Sequence, residues 1–485
     1  MQFMKRFIPS VSRPSLPDRP ALHAPPVLLV LCAVLLAITP PLSASKPNVL
    51  LIAIDDLNDW VGCLGGHPQT KTPNIDRLAK RGVLFTNAHC QAPICNPSRT
   101  SIMYGLRPSN SGIYDNQTPP WEIAALKKCV TLPRHFAANG YRTLTTGKIY
   151  HDSGMPKGDF DVIGPIPGQR LRQDARVIPE TQAGARGLWD FGPQAYDETL
   201  FQDHADATWA IAQLNQPADQ PFFLSIGFYR PHVPLYAPQR FFDEIPEDRI
   251  LLPAVIKHDR NDLPAIVERI AVSRHSPSHD WFVKTGNWRK AVQAYLACIR
   301  FTDEQVGRLL DALDASPHAK TTMVVLYSDH GFFLGEKEHW AKQSLWERAT
   351  RVPLIIAAPG YARGQSSPRP AELLSLYPTL IELCGLSENP HIDGISLVPL
   401  LKHPHAAWTQ PAITTHYQNN HSVRTERHRY TRYTDGSEEL YDHQTDPNEW
   451  TNLASLPEHT ALKQELAAWL PKSNTPQAAM GKKGK

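Results

Sequence analysis

Cysteine is scarce in this chain, with seven among 485 residues. Beyond residue 45 the cysteines are widely spaced, at Cys63, Cys90, Cys95, Cys129, Cys298 and Cys384. Small domains that depend on disulfides carry a much denser set of cysteines. The spacing therefore excludes a disulfide scaffold, and we expect one or two disulfides at most.

An excess of charge of one sign is also absent once the first 45 residues are set aside. The whole chain holds 50 Lys and Arg against 47 Asp and Glu, a formal net charge of +3. Residues 1–45 contain four basic residues and one acidic residue, which leaves 46 of each sign beyond them. A strongly basic surface is typical of proteins that bind nucleic acid. The balance therefore excludes nucleic acid as a partner, and any selectivity for anions must come from a local site.

No apolar run is long enough to span a membrane comfortably. The longest, Val27–Ile38, has twelve residues, whereas a spanning helix needs about 20. Basic residues precede this run and the small residues Ser43-Ala44-Ser45 follow it, which is the pattern of a cleavable export signal. We therefore expect a signal peptide and disordered N-terminus over 1–45, and a periplasmic or secreted protein without stable membrane insertion. A membrane anchor is the alternative.

Short apolar runs alternate with helical patterns from residue 46 to about 405. The runs that suit strands buried on both faces are Val49–Ile54, Phe222–Phe228, Met323–Tyr327 and Val352–Ala358. Helical patterns occupy Thr72–Arg81, Leu132–Asn139, Trp288–Leu313 and Pro370–Cys384. This alternation predicts an α/β fold with a large mixed, mostly parallel sheet flanked by helices.

The C-terminal part has a different pattern. Ala412–Asp442 consists of short polar segments with a turn at Asp435-Gly436, which predicts a small antiparallel sheet. A helical pattern follows at about His459–Leu470. We therefore predict a main domain over 46–405, an α+β subdomain over 406–472 and a disordered tail over 473–485.

Charged and polar residues follow several of the predicted strands directly. They are Asp55 and Asp56 after Val49–Ile54, Lys148 and His151 after a further predicted strand at Tyr141–Thr146, His232 after Phe222–Phe228, and Asp329 and His330 after Met323–Tyr327. In an open parallel sheet the carboxyl ends of the strands share one edge, and ligands bind in the crevice there. One polar strand end is usually a solvated turn. Their repetition predicts a single site at this edge.

The carboxylates of this set suggest a bound cation. Asp55, Asp56 and Asp329 supply the hard oxygen atoms that calcium prefers, and His330 stands beside them. A structural zinc site would instead favour closely spaced Cys and His residues. The residue types therefore predict a site for a divalent cation.

The most specific local motif is Cys95-Asn96-Pro97-Ser98-Arg99. It resembles the signature of the sulfatase family, in which the cysteine is oxidised to formylglycine. Lys46-Pro47-Asn48, Thr72–Leu78, Gly147-Lys148, Ser328–Gly331 and Asp446-Pro447 are similar to other segments of that family, in the same order. Tyr229–His232 and Trp340-Ala341-Lys342 are most similar to its iduronate-2-sulfatase-like branch.

The resemblance implies a fold like that of the alkaline phosphatase superfamily and a formylglycine-dependent hydrolysis of sulfate monoesters, with a sulfated saccharide as substrate. It implies a maturation enzyme that forms formylglycine from Cys95. It also implies one calcium ion. The implied ligands of that ion are Asp55, Asp56, Cys95 (as formylglycine), Asp329 and His330.

The same resemblance implies a role for each catalytic residue. Arg99 and Lys148 would hold the hydrated aldehyde at position 95, and His151 would take a proton from it. His232 and Lys342 would bind the sulfate oxygens, and one of them would give a proton to the leaving oxygen. The hydrate suits this reaction because one hydroxyl attacks sulfur and displaces the alcohol. The other hydroxyl then loses its proton, re-forms the aldehyde and expels sulfate.

Aromatic and basic residues near these motifs suggest substrate contacts. Aromatic faces suit sugar rings, so Trp121, Trp189, His339 and Trp340 are candidates for a sugar subsite. Alternation along a strand predicts that Arg424, Arg427, Arg429 and Arg432 form a mostly exposed strand face. On this interpretation Arg424 is a candidate for contact with an anionic substrate.

Two other functions are open at this point. The first is hydrolysis of phosphodiesters or phosphonate monoesters by an enzyme of the same superfamily. The second is non-catalytic binding of sulfated glycans, which predicts an unmodified Cys95 and no turnover.

Overall fold

The structure is a computed structural model that describes residues 46–151, 154–165, 177–178, 188–271 and 276–479, together with residues 9, 10, 12 and 15. The predicted signal peptide lies outside the described residues, apart from those four. Lys46–Lys485 forms one compact unit, to which both the main domain and the C-terminal sheet belong. No helix in the described ranges combines the length and the apolar character of a membrane-spanning segment.

The strands of the described part are β1 (Asn48–Ile54), β2 (Val83–Phe85), β3 (Ala88–His89), β4 (Arg142–Gly147), β5 (Val162–Ile163), β6 (Phe191–Gln194), β7 (Phe222–Phe228), β8 (Leu235–Pro238), β9 (Thr322–Ser328), β10 (Phe333–Leu334), β11 (Trp340–Ala341), β12 (Leu354–Ala357), β13 (Gln365–Ser367), β14 (Ala371–Glu372), β15 (Ala412–Thr415), β16 (His421–Arg424), β17 (His428–Arg432) and β18 (Glu438–Asp442). The α-helices are Pro73–Ala79, Cys95–Tyr104, Pro108–Ser111, Leu132–Ala138, Gln202–Leu214, Gln239–Asp243, Ala265–Ile270, His279–Lys284, Asn287–Ala315, Glu347–Thr350, Leu376–Leu383, Val398–Lys402 and Thr460–Ala467.

A mixed sheet forms the centre of the molecule, with the strand order β13-β2-β12-β9-β1-β7-β4-β5 among the described residues. Its pairs are parallel except those of β12, which runs antiparallel to both β9 and β2. The predicted mixed, mostly parallel sheet flanked by helices is therefore confirmed. β1 lies between β7 and β9, in register with both.

Alternate residues of β1 point into two different hydrophobic cores, as the two-residue period of a strand requires. Leu50, Ile52 and Ile54 pack in one core with the long helix Asn287–Ala315. Val49, Leu51 and Ala53 pack in the other core, which also contains Ile102 of the helix Cys95–Tyr104. Because both faces are covered, the strand is continuously apolar, which explains why the run was recognisable in the sequence.

Most of the predicted elements agree with the structure, with one correction. Pro370–Cys384 was predicted to be one helix, but residues 371–372 form β14 and a single 3₁₀ turn follows at Leu373–Ser375. The α-helix therefore begins only at Leu376 and ends at Leu383. β14 pairs with β3, so a tertiary contact overrides the local helical pattern.

The C-terminal strands β15 to β18 form an antiparallel sheet in sequential order, as predicted. The prediction that its arginines are mostly exposed is wrong for Arg424 and Arg429, which are buried. Arg429 Nε donates to Glu449 Oε1 at 2.6 Å, and Arg424 Nε donates to Glu347 Oε2 at 3.0 Å. Burial of these guanidinium groups is possible because each has a carboxylate partner.

The segment after the last helix is ordered by hydrogen bonds as far as residue 478, whereas the sequence predicted disorder from 473. The Thr475 N–H donates to the Ser109 carbonyl at 2.7 Å, and the Ala478 N–H donates to the Gly112 carbonyl at 2.8 Å. The Tyr114 hydroxyl donates to the Thr475 carbonyl at 2.8 Å. We call residues 473–478 the C-terminal strap.

All described cysteines are free.

Candidate active site

Cys95 is the first residue of the helix Cys95–Tyr104, and its side chain is 1% exposed. The next residue fixes this end of the helix, because the Asn96 N–H donates to Asn116 Oδ1 at 3.0 Å. The Asn96 amide group donates further to the carbonyls of Asp115 and Thr118 at 2.8 and 2.9 Å. The N-terminus of this helix favours negative charge, so position 95 suits an anionic reacting group.

The predicted carboxylates come together because their strands are neighbours. Asp55 and Asp56 follow β1, Asp329 follows β9, and Ile54 pairs with Ser328 in the parallel register. All three carboxylates are fully buried. The Asp56 N–H donates to Asp329 Oδ1 at 3.2 Å. The sheet therefore fixes the relative positions of residues that lie far apart in the sequence.

Buried cationic side chains compensate these carboxylates. Arg99 Nε lies 2.8 Å from Asp329 Oδ2, and its Nη2 lies 3.1 Å from Asp55 Oδ1. Lys148 Nζ lies 2.5 Å from Asp55 Oδ2. Lys342 Nζ lies 2.5 Å from Asp56 Oδ1. Buried charges are tolerated only when they are paired in this way, so the centre is one interdependent cluster.

Positive charge surrounds the sulfur atom of Cys95. Lys342 Nζ lies 3.2 Å from Sγ, His330 Nε2 lies 3.3 Å from it, and Lys148 Nζ lies 3.9 Å from it. Burial raises the pKa of the Cys95 thiol, but these charges together lower that pKa well below its ordinary value, and a hydrogen bond with His151 adds to the effect. The pocket around position 95 therefore stabilises a negative charge.

The same charges set the ionisation of the neighbouring groups. Burial raises the pKa of Asp55, but the positive charges of Lys148, His232 and Arg99 together outweigh burial and hold that pKa far below its usual range. Burial lowers the pKa of His330, but the negative charges of Asp329, Cys95 and Asp56 together raise it to about 9. The carboxylate of Asp55 is therefore ionised at neutral pH, as a cation ligand must be.

His232 lies at the rim of the cluster, in the turn that follows β7. Its Nδ1 lies 2.6 Å from the Val233 carbonyl and donates to it, which leaves Nε2 directed at Asp56 Oδ2, 3.9 Å away. The turn is held by Asp203, whose carboxylate accepts the Tyr229 N–H at 2.7 Å and the Arg230 N–H at 2.9 Å. His232 is therefore placed to exchange a proton with a group bound beside Asp56.

The structure brings all the residues of the sequence-predicted site into one cluster: Asp55, Asp56, Cys95, Arg99, Lys148, His151, His232, Asp329, His330 and Lys342. Their individual catalytic and metal-binding roles stay predictions.

Several residues that shape this centre were not recognisable as such from the sequence. Asn96 and Ser98 lie inside the recognised motif; the Ser98 hydroxyl donates to the Asp329 carbonyl at 2.5 Å. The Tyr229 ring lies under Lys148, with Nζ 5.2 Å from its centroid. Asp203 carries no local sequence signal, because its role depends on how the helix Gln202–Leu214 packs beside β7.

The predicted sugar subsite needs correction. Trp340 and Trp189 are 2% and 1% exposed, and Trp340 stacks on Phe282 with ring centroids 3.5 Å apart. His339 is also buried. These residues therefore belong to the core, and the prediction that they bind sugar is wrong. Trp121 remains half-buried and packs edge-on against Tyr150, next to His151.

The donor set fits a divalent cation that prefers oxygen. Ligand atoms of Asp55, Cys95, Asp329 and His330 all lie within 4.8 Å of one another. Asp56 Oδ2 is buried and makes no hydrogen bond among the described residues. A buried carboxylate oxygen without a donor is costly unless a cation binds it, and calcium accepts several such oxygens.

A cluster that could hold a cation, at the carboxyl edge of a parallel sheet, is the arrangement expected of a metal-assisted hydrolase. Residues 47–386 match the sulfatase family model, and residues 335–475 match the model described as N-sulphoglucosamine sulphohydrolase, C-terminal.

Individual relatives of the chain are sulfatases as well. The chain is 43% identical to a sulfatase of Formosa agariphila over 442 residues, which covers 88% of this chain and 87% of that protein. It is 31% identical to human iduronate 2-sulfatase, with 71% of this chain and 70% of that protein covered. A solved structure of a 2-O GAG sulfatase superposes with a TM-score of 0.68 at 27% identity, covering 88% of this chain and 91% of that one. The chain belongs to the sulfatase family and is a sulfuric ester hydrolase.

Proposed function

We propose that this sulfuric ester hydrolase removes sulfate from a saccharide, with formylglycine formed from Cys95 and with one calcium ion as cofactor. The observation that carries the proposal is the convergence of Lys342, His330 and Lys148 on the Cys95 sulfur, beside a cluster of buried carboxylates. A sulfate ester needs an activated oxygen nucleophile and positive charge around the sulfuryl oxygens. Residue 95, as formylglycine, would supply the oxygen nucleophile, and the neighbouring lysines would supply the positive charge.

Asp55, Asp56, Asp329 and His330, with residue 95, would hold the calcium ion. When bound, the ion supplies positive charge that polarises the sulfate group. Formylglycine supplies, as its hydrate, an oxygen nucleophile that can return to the aldehyde. Arg99 donates hydrogen bonds to Asp329 and Asp55, and with Lys148 it would hold the hydrated aldehyde and its negative charge.

The remaining polar residues would bind the ester and move protons. Lys342 and Lys148 present ammonium groups to residue 95 from two sides, so they would hold its negative charge and that of the sulfate oxygens. His151 hydrogen-bonds to the same residue and would accept its proton. His232, with Nε2 facing the cluster, would give a proton to the leaving oxygen. Such positioned proton transfer contributes about 10²–10⁴ in rate.

A saccharide substrate is supported by the relatives. Human iduronate 2-sulfatase and the 2-O GAG sulfatase are named for sulfated sugars, and both resemble this chain over most of its length. Trp121 offers a half-buried aromatic surface that packs edge-on against Tyr150, the residue before His151 in the chain. An aromatic surface at this position would pack against the sugar that carries the ester.

In the decisive experiment, the protein is expressed together with a formylglycine-generating enzyme. One preparation is then assayed with sulfated oligosaccharides, a phosphodiester and a phosphonate monoester. We expect release of sulfate to dominate. Dominant cleavage of either phosphorus ester would overturn the proposal in favour of the related hydrolases. Binding of sulfated glycans without turnover by fully converted protein would indicate a glycan-binding protein.

We also propose that the protein is exported, on the basis of the signal pattern over residues 1–45. N-terminal sequencing of the protein from a periplasmic or culture fraction tests this. Cleavage close to Ser43-Ala44-Ser45 supports export, and retention of an intact N-terminus in the membrane fraction would indicate an anchor instead.

A further inference from the structure

The loop that carries Lys342 has an unusual backbone. Residues 335–343, which we call the Lys342 loop, contain Lys337, Glu338, Ala341 and Gln343 at φ values of 54°, 50°, 69° and 71°, in addition to Gly335 at 121°. Positive φ is uncommon for residues other than glycine and costs conformational free energy. So many such residues in one short loop persist only where surrounding contacts hold the backbone firmly.

Lys337 makes the contacts that hold the first half of this loop. The side chain is 3% exposed, and Nζ lies 3.2 Å from Asp259 Oδ1. The same ammonium group donates to the Glu449 carbonyl and lies 5.3 Å and 5.5 Å from the ring centroids of Trp346 and Tyr441. A buried ammonium group is stable only with such partners, so moving it away from them would cost free energy.

The second half of the loop is tied to the first. The Gly335 N–H donates to the His339 carbonyl at 3.0 Å, and His339 Nε2 donates to the Lys342 carbonyl at 3.0 Å. The Gln343 N–H donates to the Pro93 carbonyl at 3.0 Å, which joins the end of the loop to the segment before Cys95. The backbone of Lys342 is therefore fixed on both sides, and its side chain reaches the Cys95 sulfur.

We propose that Lys337 is a positioning residue: by binding Asp259 and the Glu449 carbonyl, it holds the strained Lys342 loop so that the Lys342 ammonium group meets residue 95 and the sulfate. Lys337 itself contacts none of the reacting groups. The C-terminal subdomain, through Glu449, thereby takes part in ordering the catalytic centre. This inference rests on the proposed function of Lys342.

A double-mutant cycle separates positioning from general destabilisation. The variants are Lys337→Met, which keeps the aliphatic stem, Lys342→Ala, and the two together. Misplacement of a catalytic group by about 1 Å can cost 10²-fold. We expect Lys337→Met alone to lower kcat/KM about ten-fold or more, and to lower it less than about two-fold further when Lys342 is already alanine.

A matched control is Lys463→Met, which removes a lysine that pairs with Glu438 at 2.6 Å and donates to the Ala454 carbonyl, both in the C-terminal subdomain. It should leave kcat/KM unchanged. The proposal would be overturned if Lys337→Met lowered kcat/KM by the same factor with Lys342 present and with Lys342 replaced by alanine. It would also be overturned if Lys337→Met alone left kcat/KM unchanged. If Lys337→Met does not fold, Asp259→Asn tests the same contact with Lys337 retained.

Binding of inorganic sulfate, measured calorimetrically, gives a second readout that needs no turnover. We expect Lys337→Met to weaken sulfate binding only where Lys342 is present. A protein that binds sulfate in this pattern but hydrolyses no sulfate ester would contradict the proposed function and leave the positioning role standing. Equal weakening in both backgrounds would reject that role.

Discussion

The Lys342 Nζ atom lies 3.2 Å from the Cys95 Sγ atom, although 247 residues separate them in the chain. The contact joins the N-terminus of one helix to a strained loop from a distant segment. It shows that the positive charge at position 95 is assembled by the tertiary fold. Loss of either partner should therefore lower catalysis, and loss of Lys342 also removes an ionic partner of the buried Asp56 carboxylate.

Replacement of Lys342 by alanine should lower kcat/KM for a sulfate ester by about 10²–10³-fold, the usual effect of removing one donor that stabilises a transition state. Steady-state kinetics at saturating calcium measure this. The exposed Lys320→Ala is the control and should match the unchanged protein. A Lys342→Ala enzyme with nearly full activity would show that this ammonium group does not contact the sulfate.

Removal of calcium should abolish activity and lower the melting temperature. Asp55, Asp56 and Asp329 are buried close together, and a bound cation relieves their repulsion. Dialysis against a chelator, with metal analysis and calorimetry before and after calcium is restored, measures both effects. Magnesium should restore less of the activity and of the melting temperature than calcium does, because magnesium demands a stricter octahedral geometry. Full activity in demonstrably metal-free protein would contradict the assigned cation site.

Stability should depend on pH through Asp206, a carboxyl group outside the catalytic cluster. Burial raises its pKa to about 8, although the Thr146 hydroxyl donates to it at 2.7 Å. Between about pH 4 and 8 the folded protein then holds a proton that the unfolded chain has lost. The stabilising contribution is therefore complete below the unfolded pKa and is lost as pH rises through about 8.

Denaturant titrations from pH 5 to 9 test this dependence. Asp206→Asn should flatten the loss of stability with rising pH, because the amide does not titrate. The exposed Asp219→Asn should retain the slope of the unchanged protein. The same slope in Asp206→Asn and the unchanged protein would show that Asp206 does not hold this proton.

Deletion of residues 473–485 should destabilise the protein, because it removes the C-terminal strap and its hydrogen bonds to residues 109–114. Such bonds contribute about 0.5–1.5 kcal/mol each. For the three bonds described above we expect a loss of about 1.5–4.5 kcal/mol in the free energy of unfolding. Deletion of 480–485 alone keeps every strap contact and should have no effect. Equal stability of the two truncated proteins would contradict a structural role for the strap.

Much of the site could be predicted because a parallel sheet places the ends of its strands at one edge. Asp55 and Asp329 were recognisable for this reason, since each follows a continuous apolar run. Cys95 and Arg99 were recognisable from a specific local motif. Lys342 was assigned from a resemblance, and the fold brings it beside Asp56.

Other features depend on contacts that no local pattern encodes. Trp340 resembled an exposed sugar-binding residue, but Phe282 from a distant helix covers its ring. Arg429 looked like part of an exposed strand face, but Glu449 and Glu347 converge on it and make burial possible. Asp203 was missed because its partners, the N–H groups of Tyr229 and Arg230, belong to another element.

The most direct measurement combines the mass of the peptide that contains residue 95 with sulfate release by the same preparation. The account predicts that turnover rises in proportion to the fraction of Cys95 converted to formylglycine, and that folded Cys95→Ala protein releases no sulfate. Sulfate release near the normal rate from Cys95→Ala, or from protein whose Cys95 is entirely unconverted, would contradict it.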